Sequence, residues 1–165
     1  MVLNEFIMLA QNFVLSYGLF GTFVIAVLES FIFPVPTAVI ITPSTALGLD
    51  PLITTIIATI GSVIGALIGF ALGWYLGYPF ALKLFKGKHI DRVERWFKKY
   101  GACAILIAAF TPIPFKVFTW AGGIFRMNIK PFLLAATIGR FFQFIIAAYV
   151  GSMIGPAFIS LMSLF

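Results

Sequence analysis

Charge is scarce in this chain, and so are the residues that build most catalytic sites. Only 10% of its 165 residues are Asp, Glu, Lys or Arg. A soluble domain carries roughly a quarter, so this chain cannot cover a water-facing surface. Its one cysteine, Cys103, excludes an intramolecular disulfide and a cysteine metal cluster; a small apolar core position is expected for it. Its one histidine, His89, excludes a histidine-based phosphatase constellation and suits a helix end. The five acids, Glu5, Glu29, Asp50, Asp91 and Glu94, are scattered without metal-ligand spacing. No G-x-S-x-G or cysteine–histidine arrangement occurs. Neither an enzyme nor a cofactor is expected. Met1 to Asn12 lack a basic segment and a small-residue cleavage site, so no cleaved leader is expected.

Apolar residues fill the space. Hydrophobic types make up 62% of the chain, and the mean hydropathy is +1.12. The first apolar stretch, residues 6–28, is long enough to cross a hydrocarbon core of ~30 Å at about 1.5 Å per residue. A second runs over residues 51–78 and a third begins at Pro131. The spacing therefore predicts an all-α integral membrane protein in one domain, 1–165, with about three full spanning helices. Its first half covers about 5–80, an interfacial segment about 88–100, and its second half about 101–160.

Proline breaks this pattern twice. Pro34-x-Pro36 and Pro112-x-Pro114 each interrupt apolar sequence that is too hydrophobic for an aqueous loop. Broken backbone at membrane depth survives only where protein or a water-filled cavity satisfies it. Two re-entrant hairpins are expected, over residues 32–49 and 101–125. Pro34, Pro36, Pro112, Pro114, Gly122 and Gly123 would shape them. Each Pro-x-Pro is followed by a proline opening a helix, Pro51 or Pro131. Two opposed hairpins of this kind make an inverted repeat, an architecture of many secondary transporters.

The net charge of +6 is concentrated, with seven of the eleven basic residues between Lys83 and Lys99. Flanked by apolar stretches, such a cluster marks the cytoplasmic side of a cell membrane and its anionic headgroups, not nucleic acid. It places the N-terminus inside as well. Ile90, Val93, Trp96, Phe97 and Tyr100 recur at helical spacing between charged residues, as in an amphipathic helix lying in the interface. Gly61, Gly65, Gly69, Gly73 and Gly77 fall every fourth residue, a stripe that lets helices approach closely. The stripe packs either within the chain or against a second copy in a homo-oligomer.

Charges inside a membrane are costly and face a cavity or a partner. The candidates for a substrate or proton pathway are Glu29, Asp50, Lys116, Arg126 and Arg140. Glu29 ends the first apolar stretch, where a carboxylate suits a proton carrier. Asp50 precedes Pro51 and also reads as a helix cap. Lys116 lies inside the second hairpin, placed to meet Glu29 or a phosphate. Arg126 ends that hairpin and also reads as a headgroup anchor. Arg140 lies too deep in the last helix to reach the surface. It must face inward, paired with a carboxylate or a ligand oxyanion, with Gln143 one turn on.

These residues resemble the DedA family, whose domain is also called the VTT or SNARE-associated Golgi protein domain. The resemblance rests on Glu29 before Phe33-Pro34-Val35-Pro36, on Phe110-Thr111-Pro112, on Ala121-Gly122-Gly123-Ile124-Phe125-Arg126-Met127, and on Gly139-Arg140. It covers about residues 5–155, and the second half looks most like the YqaA-type branch. The chain departs from the family at Thr37 and Ala38, where many members are acidic, and at Ala109, where many carry Arg. Lys116 matches a further family Arg with a one-residue offset. The resemblance implies opposed hairpins and the movement of phospholipids or polyprenyl phosphates between leaflets, by a flippase or scramblase often linked to proton-motive force. Membrane lipids with anionic phosphate headgroups are the expected partners, with protons. The alternatives are a proton-coupled transporter or channel for a small solute or ion, and, less favoured, a structural membrane subunit.

Overall fold

The computed structural model describes residues 2–31, 37–84, 94, 95, 97, 99–110 and 115–162. Every regular element among them is helical: α1 (Val2–Phe31), α2 (Thr37–Ala46), α3 (Pro51–Leu84), α4 (Ala102–Phe110), α5 (Phe115–Ile124) and α6 (Ile129–Met162). Three stretches of 27 residues have the length and apolar composition to cross a membrane, Glu5–Phe31, Pro51–Gly77 and Ile129–Gly155, the first of them broken at Gly18. Pro34, Pro36, Pro112 and Pro114 lie outside the described residues, as do His89 and much of the expected interfacial helix. Residues 94, 95, 97, 99 and 100 of that segment are helical. Phe97 packs its ring against Phe118 and Phe125.

Two glycines bend the long helices. Gly18 has φ 57° and ψ −128°, a region open to glycine and strained for residues with a Cβ. Beyond it α1 folds back, because a Cβ on Gly21 would lie 2.9 Å from the Val14 Cα. The first arm then buries Ala10 and Val14 with Ile25 and Ile40. Gly77, the last glycine of the stripe, has φ 64° and bends α3 in the same way.

The first four stripe glycines pack within the chain. Gly61 and Gly65 face the backbone of Phe23 and Val27 in α1; Gly69 and Gly73 face Thr119 and Trp120 in α5. A methyl group at Gly65 or Gly73 would collide with the Val27 or Trp120 carbonyl oxygen. Both α1 and α5 therefore lie along α3, one on each half of its length. Gly151 and Gly155 bring α2 onto the far half of α6 in the same manner, and Gly139 brings α4 onto its near half.

The two halves match element by element. A shift of 78 positions carries Thr37–Ala46 onto Phe115–Ile124 and Pro51–Leu84 onto Ile129–Met162. It also carries Gly48, with φ 106°, onto Arg126, with φ 51°. Both residues close the same helix-ending motif. Leu49 N–H donates to Ser44 O and Met127 N–H to Gly122 O; Gly48 and Arg126 N–H donate to Thr45 O and Gly123 O. α3 and α6 run antiparallel, since the Phe70 and Phe132 rings meet, tilted, at 4.7 Å while Ala58 clusters with Phe144 and Ala148. The matched halves thus run in opposite directions.

The interior differs between the halves. Phe70 of α3 joins Phe115, Phe118, Phe132 and alanines of α4 and α6 in a large apolar cluster drawn mostly from the second half. Buried hydroxyls concentrate in the first half, at Thr22, Ser30, Thr37, Ser44, Thr45, Thr54, Thr55, Thr59 and Ser62. Cys103, expected in the core, is exposed, because the other face of α4 carries the buried Ala104, Ile105, Ala108 and Ala109.

Candidate functional site

Four helix ends converge at the middle of the fold. α1 stops at Phe31 and α5 starts at Phe115. The two meet over the waist of α3, where Trp120 Nε1–H donates to the Phe31 carbonyl at 3.2 Å. α4 stops at Phe110 and α2 starts at Thr37, and both lie along α6. Arg140 sits at this waist, 11 residues into α6, or about 16 Å along its axis. That is close to half of a ~30 Å hydrocarbon core.

Arg140 and Glu29 form a buried ion pair. The Arg140 Nη2 donates to Glu29 Oε2 at 2.8 Å and to Oε1 at 2.9 Å. Their side chains are 3% and 11% exposed. Arg140 Nη1 donates to Gln143 Oε1 at 2.7 Å, the one-turn neighbour expected from helical spacing. Thr37 Oγ1–H, at the first residue of α2, donates to Glu29 Oε2 at 3.1 Å. Ser30 reaches Glu29 and Arg140 at 3.4 Å each and shares a 2.6 Å hydrogen bond with Ser62. Ser62 is the position that the shift of 78 relates to Arg140, so matched residues of the two halves meet at the waist.

The cluster favours an anion beyond Glu29. The Arg140 guanidinium lies 4.2 Å over the Phe115 ring and 5.3 Å from the Phe144 ring. Its Nε is buried and has no hydrogen-bond partner among the described residues. A buried guanidinium N–H without an acceptor is costly. The N-termini of α2 and α5 both end at this waist and add partial positive charge. Lys116, half-buried, is the second residue of α5. One carboxylate is thus set against an arginine and two helix N-termini.

The other candidates lie elsewhere. Asp50 is exposed and caps α3, accepting from Ile53 N–H at 2.8 Å. Its matched residue, Asn128, does the same for α6 by accepting from Lys130 N–H at 3.0 Å. Arg126 is exposed in the turn after α5, its guanidinium 5.4 Å from the Trp74 ring centre. Gly122 and Gly123 lie at the end of α5, where Gly123 touches the α3 backbone at Phe70 and Trp74. Sequence reasoning missed Ser30, Thr37 and Ser62 in the cluster. No group of three or more His, Cys, Asp or Glu able to hold a metal occurs among the described residues.

A helical protein with several apolar stretches of spanning length and a charged cluster at its waist is a multi-pass membrane protein. The profile of the VTT domain matches residues 33–153, and the chain belongs to that family. An uncharacterised protein of Methanocaldococcus jannaschii is 33% identical over 129 residues, which cover 78% of this chain and 81% of that relative. Undecaprenyl phosphate transporter A of Bacillus subtilis is 33% identical over 72 residues, covering 44% of this chain and 36% of the transporter. The Staphylococcus aureus protein of the same name is 39% identical over 54 residues, covering 33% and 27%. No solved structure matches.

Proposed function

We propose that this protein moves a phosphate-bearing lipid, a phospholipid or polyprenyl phosphate, between the leaflets of the cell membrane. The observation that carries this reading is the Arg140–Glu29 pair at the waist of α6, with Arg140 Nε left without an acceptor among the described residues. A phosphate offers several oxygens to a guanidinium, where Glu29 offers two. The headgroup displaces Glu29 from Arg140, and Lys116 lies one helical position from the same place. The acyl or prenyl chains stay in apolar surroundings. Glu29, released from Arg140, is the group through which a proton gradient would couple to the movement. The relatives named as undecaprenyl phosphate transporters support a lipid phosphate as cargo.

The membrane arrangement follows from the paired halves. α4 with α5, and the second arm of α1 with α2, would form two re-entrant hairpins of an inverted repeat; the described ends of these helices adjoin Arg140. The N-terminus and the basic residues 83–99 face the cytoplasm.

The test is transfer of fluorescent phospholipids and a polyprenyl phosphate between leaflets of liposomes holding the purified protein, with and without a pH gradient. Transfer above empty liposomes that drops at least tenfold in folded Glu29→Gln supports the reading. Dependence on the gradient adds proton coupling. Absence of transfer with folded wild-type protein turns the assignment to a small solute or ion.

A further inference from the structure

α4 and α6 leave between them an apolar crevice of about 410 Å³. Its walls are Leu106, Ile107 and Phe110 from α4 and Ile138, Gly139 and Phe142 from α6. On each helix these positions fall on one face, a turn apart. Ile107, Phe110, Ile138 and Phe142 are partly exposed, so the crevice opens on the outer surface of the bundle. Its floor reaches Gly139. The next residue, Arg140, turns inward to the buried cluster. Crevice and cation therefore lie on adjoining faces of α6, about 100° apart around its axis at consecutive residues.

Comparison of the halves explains why the crevice lies here. Along α3, the junction of α1 and α5 is closed by Phe31 and Trp120, whose rings stack at 6.2 Å above the Trp120–Phe31 hydrogen bond. The shift of 78 replaces Phe31 by Ala109 and Trp120 by Thr42. Neither side chain can span the corresponding junction along α6. Thr42 instead donates to the Ala38 and Ala147 carbonyls. Among the described residues, one side of the waist is clasped by aromatic rings and the other carries the crevice.

We infer that this crevice seats one hydrocarbon chain of the lipid whose phosphate reaches Arg140. The inference rests on the function proposed above and adds the side from which the cargo approaches. All six lining residues are apolar, so the occupying segment carries no polar group. The Arg140 Nε, unpartnered among the described residues, has room for an acceptor, and the guanidinium's charge favours an oxyanion. A molecule with both parts is an alkyl or prenyl phosphate. Free phosphate would gain only the second contact.

The experiment compares binding of dodecyl phosphate, butyl phosphate and dodecanol to the purified full chain by calorimetry in one detergent. The micelle is as apolar as the crevice, so each methylene adds less than the roughly fourfold of a transfer from water. The wild-type protein is expected to prefer dodecyl over butyl phosphate by at least tenfold. Ile138→Trp and Ile107→Trp fill the crevice from opposite walls at partly exposed positions. Either variant is expected to cut that preference at least tenfold. An unchanged preference in both folded variants overturns the crevice assignment and leaves the Arg140 reading standing, because butyl phosphate still binds. Dodecanol binding as tightly as dodecyl phosphate also overturns it, since chain partition alone would then explain the preference. Failure of wild type to bind either phosphate overturns the function proposal and this inference together.

Discussion

The Arg140–Glu29 pair makes a quantitative claim that a double-mutant cycle can test. Arg140→Met removes two N–H···O bonds of 2.8 and 2.9 Å from Glu29. Among the described residues Glu29 then keeps the Thr37 and Ser30 hydroxyls. Removing one member of a buried ion pair costs about 3–5 kcal/mol in proteins generally. Glu29→Gln is gentler, because the amide oxygen still accepts from Arg140; losing a charge-assisted bond costs about 1.5–3 kcal/mol. The double variant leaves neither charge unpaired, so its loss falls short of the sum. Neutral polar pairs in membranes couple by about 0.6 kcal/mol on average and about 1.7 at most. A charged pair with two short bonds at 3% and 11% exposure belongs at the top of that range, so a coupling of about 1.5–2 kcal/mol is expected. Equilibrium unfolding of the four proteins in mixed micelles measures it. Coupling within about 0.5 kcal/mol of zero, the usual scatter for independent sites, would refute the pairing and the displacement mechanism built on it.

Other outcomes follow from the packing. Gly73→Ala forces a methyl group onto the Trp120 carbonyl oxygen and is expected to lower stability by about 1–3 kcal/mol, read as a drop in thermal midpoint. Gly18→Ala places a Cβ at φ 57° and is expected to cost about 1–2 kcal/mol, and hydrogen exchange should rise in the first arm of α1. Asp50→Ala removes the cap on Ile53 N–H, with an expected cost of about 0.5–2 kcal/mol and no loss of lipid transfer; a tenfold loss in the liposome assay would place Asp50 on the pathway. Trp120→Phe keeps the stack on Phe31 but removes the donor to its carbonyl, an expected loss of about 1 kcal/mol by the same unfolding assay.

Charge position carried most of the site from sequence. Arg140 lies too deep to reach water, so an inward partner was required, and Gln143 on its face follows from helical spacing. Which carboxylate it meets was less visible, because Lys116 competed for Glu29 and only the tertiary fold brings Glu29 and Arg140 together. Ser30, Thr37 and Ser62 were invisible for a different reason. Serine and threonine occur along the whole apolar sequence, and most of them donate to carbonyls of their own helix, as Thr55 and Thr59 do. The glycine stripe announced close packing but not its fifth member's role as a bend. Gly18 lay in an apolar run that reads as one helix, and only its backbone angles mark the fold-back. The repeat was partly hidden because Pro51 opens α3 at its first residue while Pro131 is the third of α6. Counting from proline to proline therefore misaligned halves that the helix boundaries align.

The exchange of short helices between halves bears on how the chain is made. α2 from the first half seals α6, and α5 from the second half seals α3. When synthesis has passed Leu84, the Gly69–Gly73 face of α3 still lacks the helix that will cover it, and α2 lacks the helix it covers. Incompletely packed apolar surface of this kind is prone to misassembly. The insertion machinery must therefore shelter a half-built product until α5 and α6 emerge, and quality control has a defined surface by which to recognise chains that stopped early.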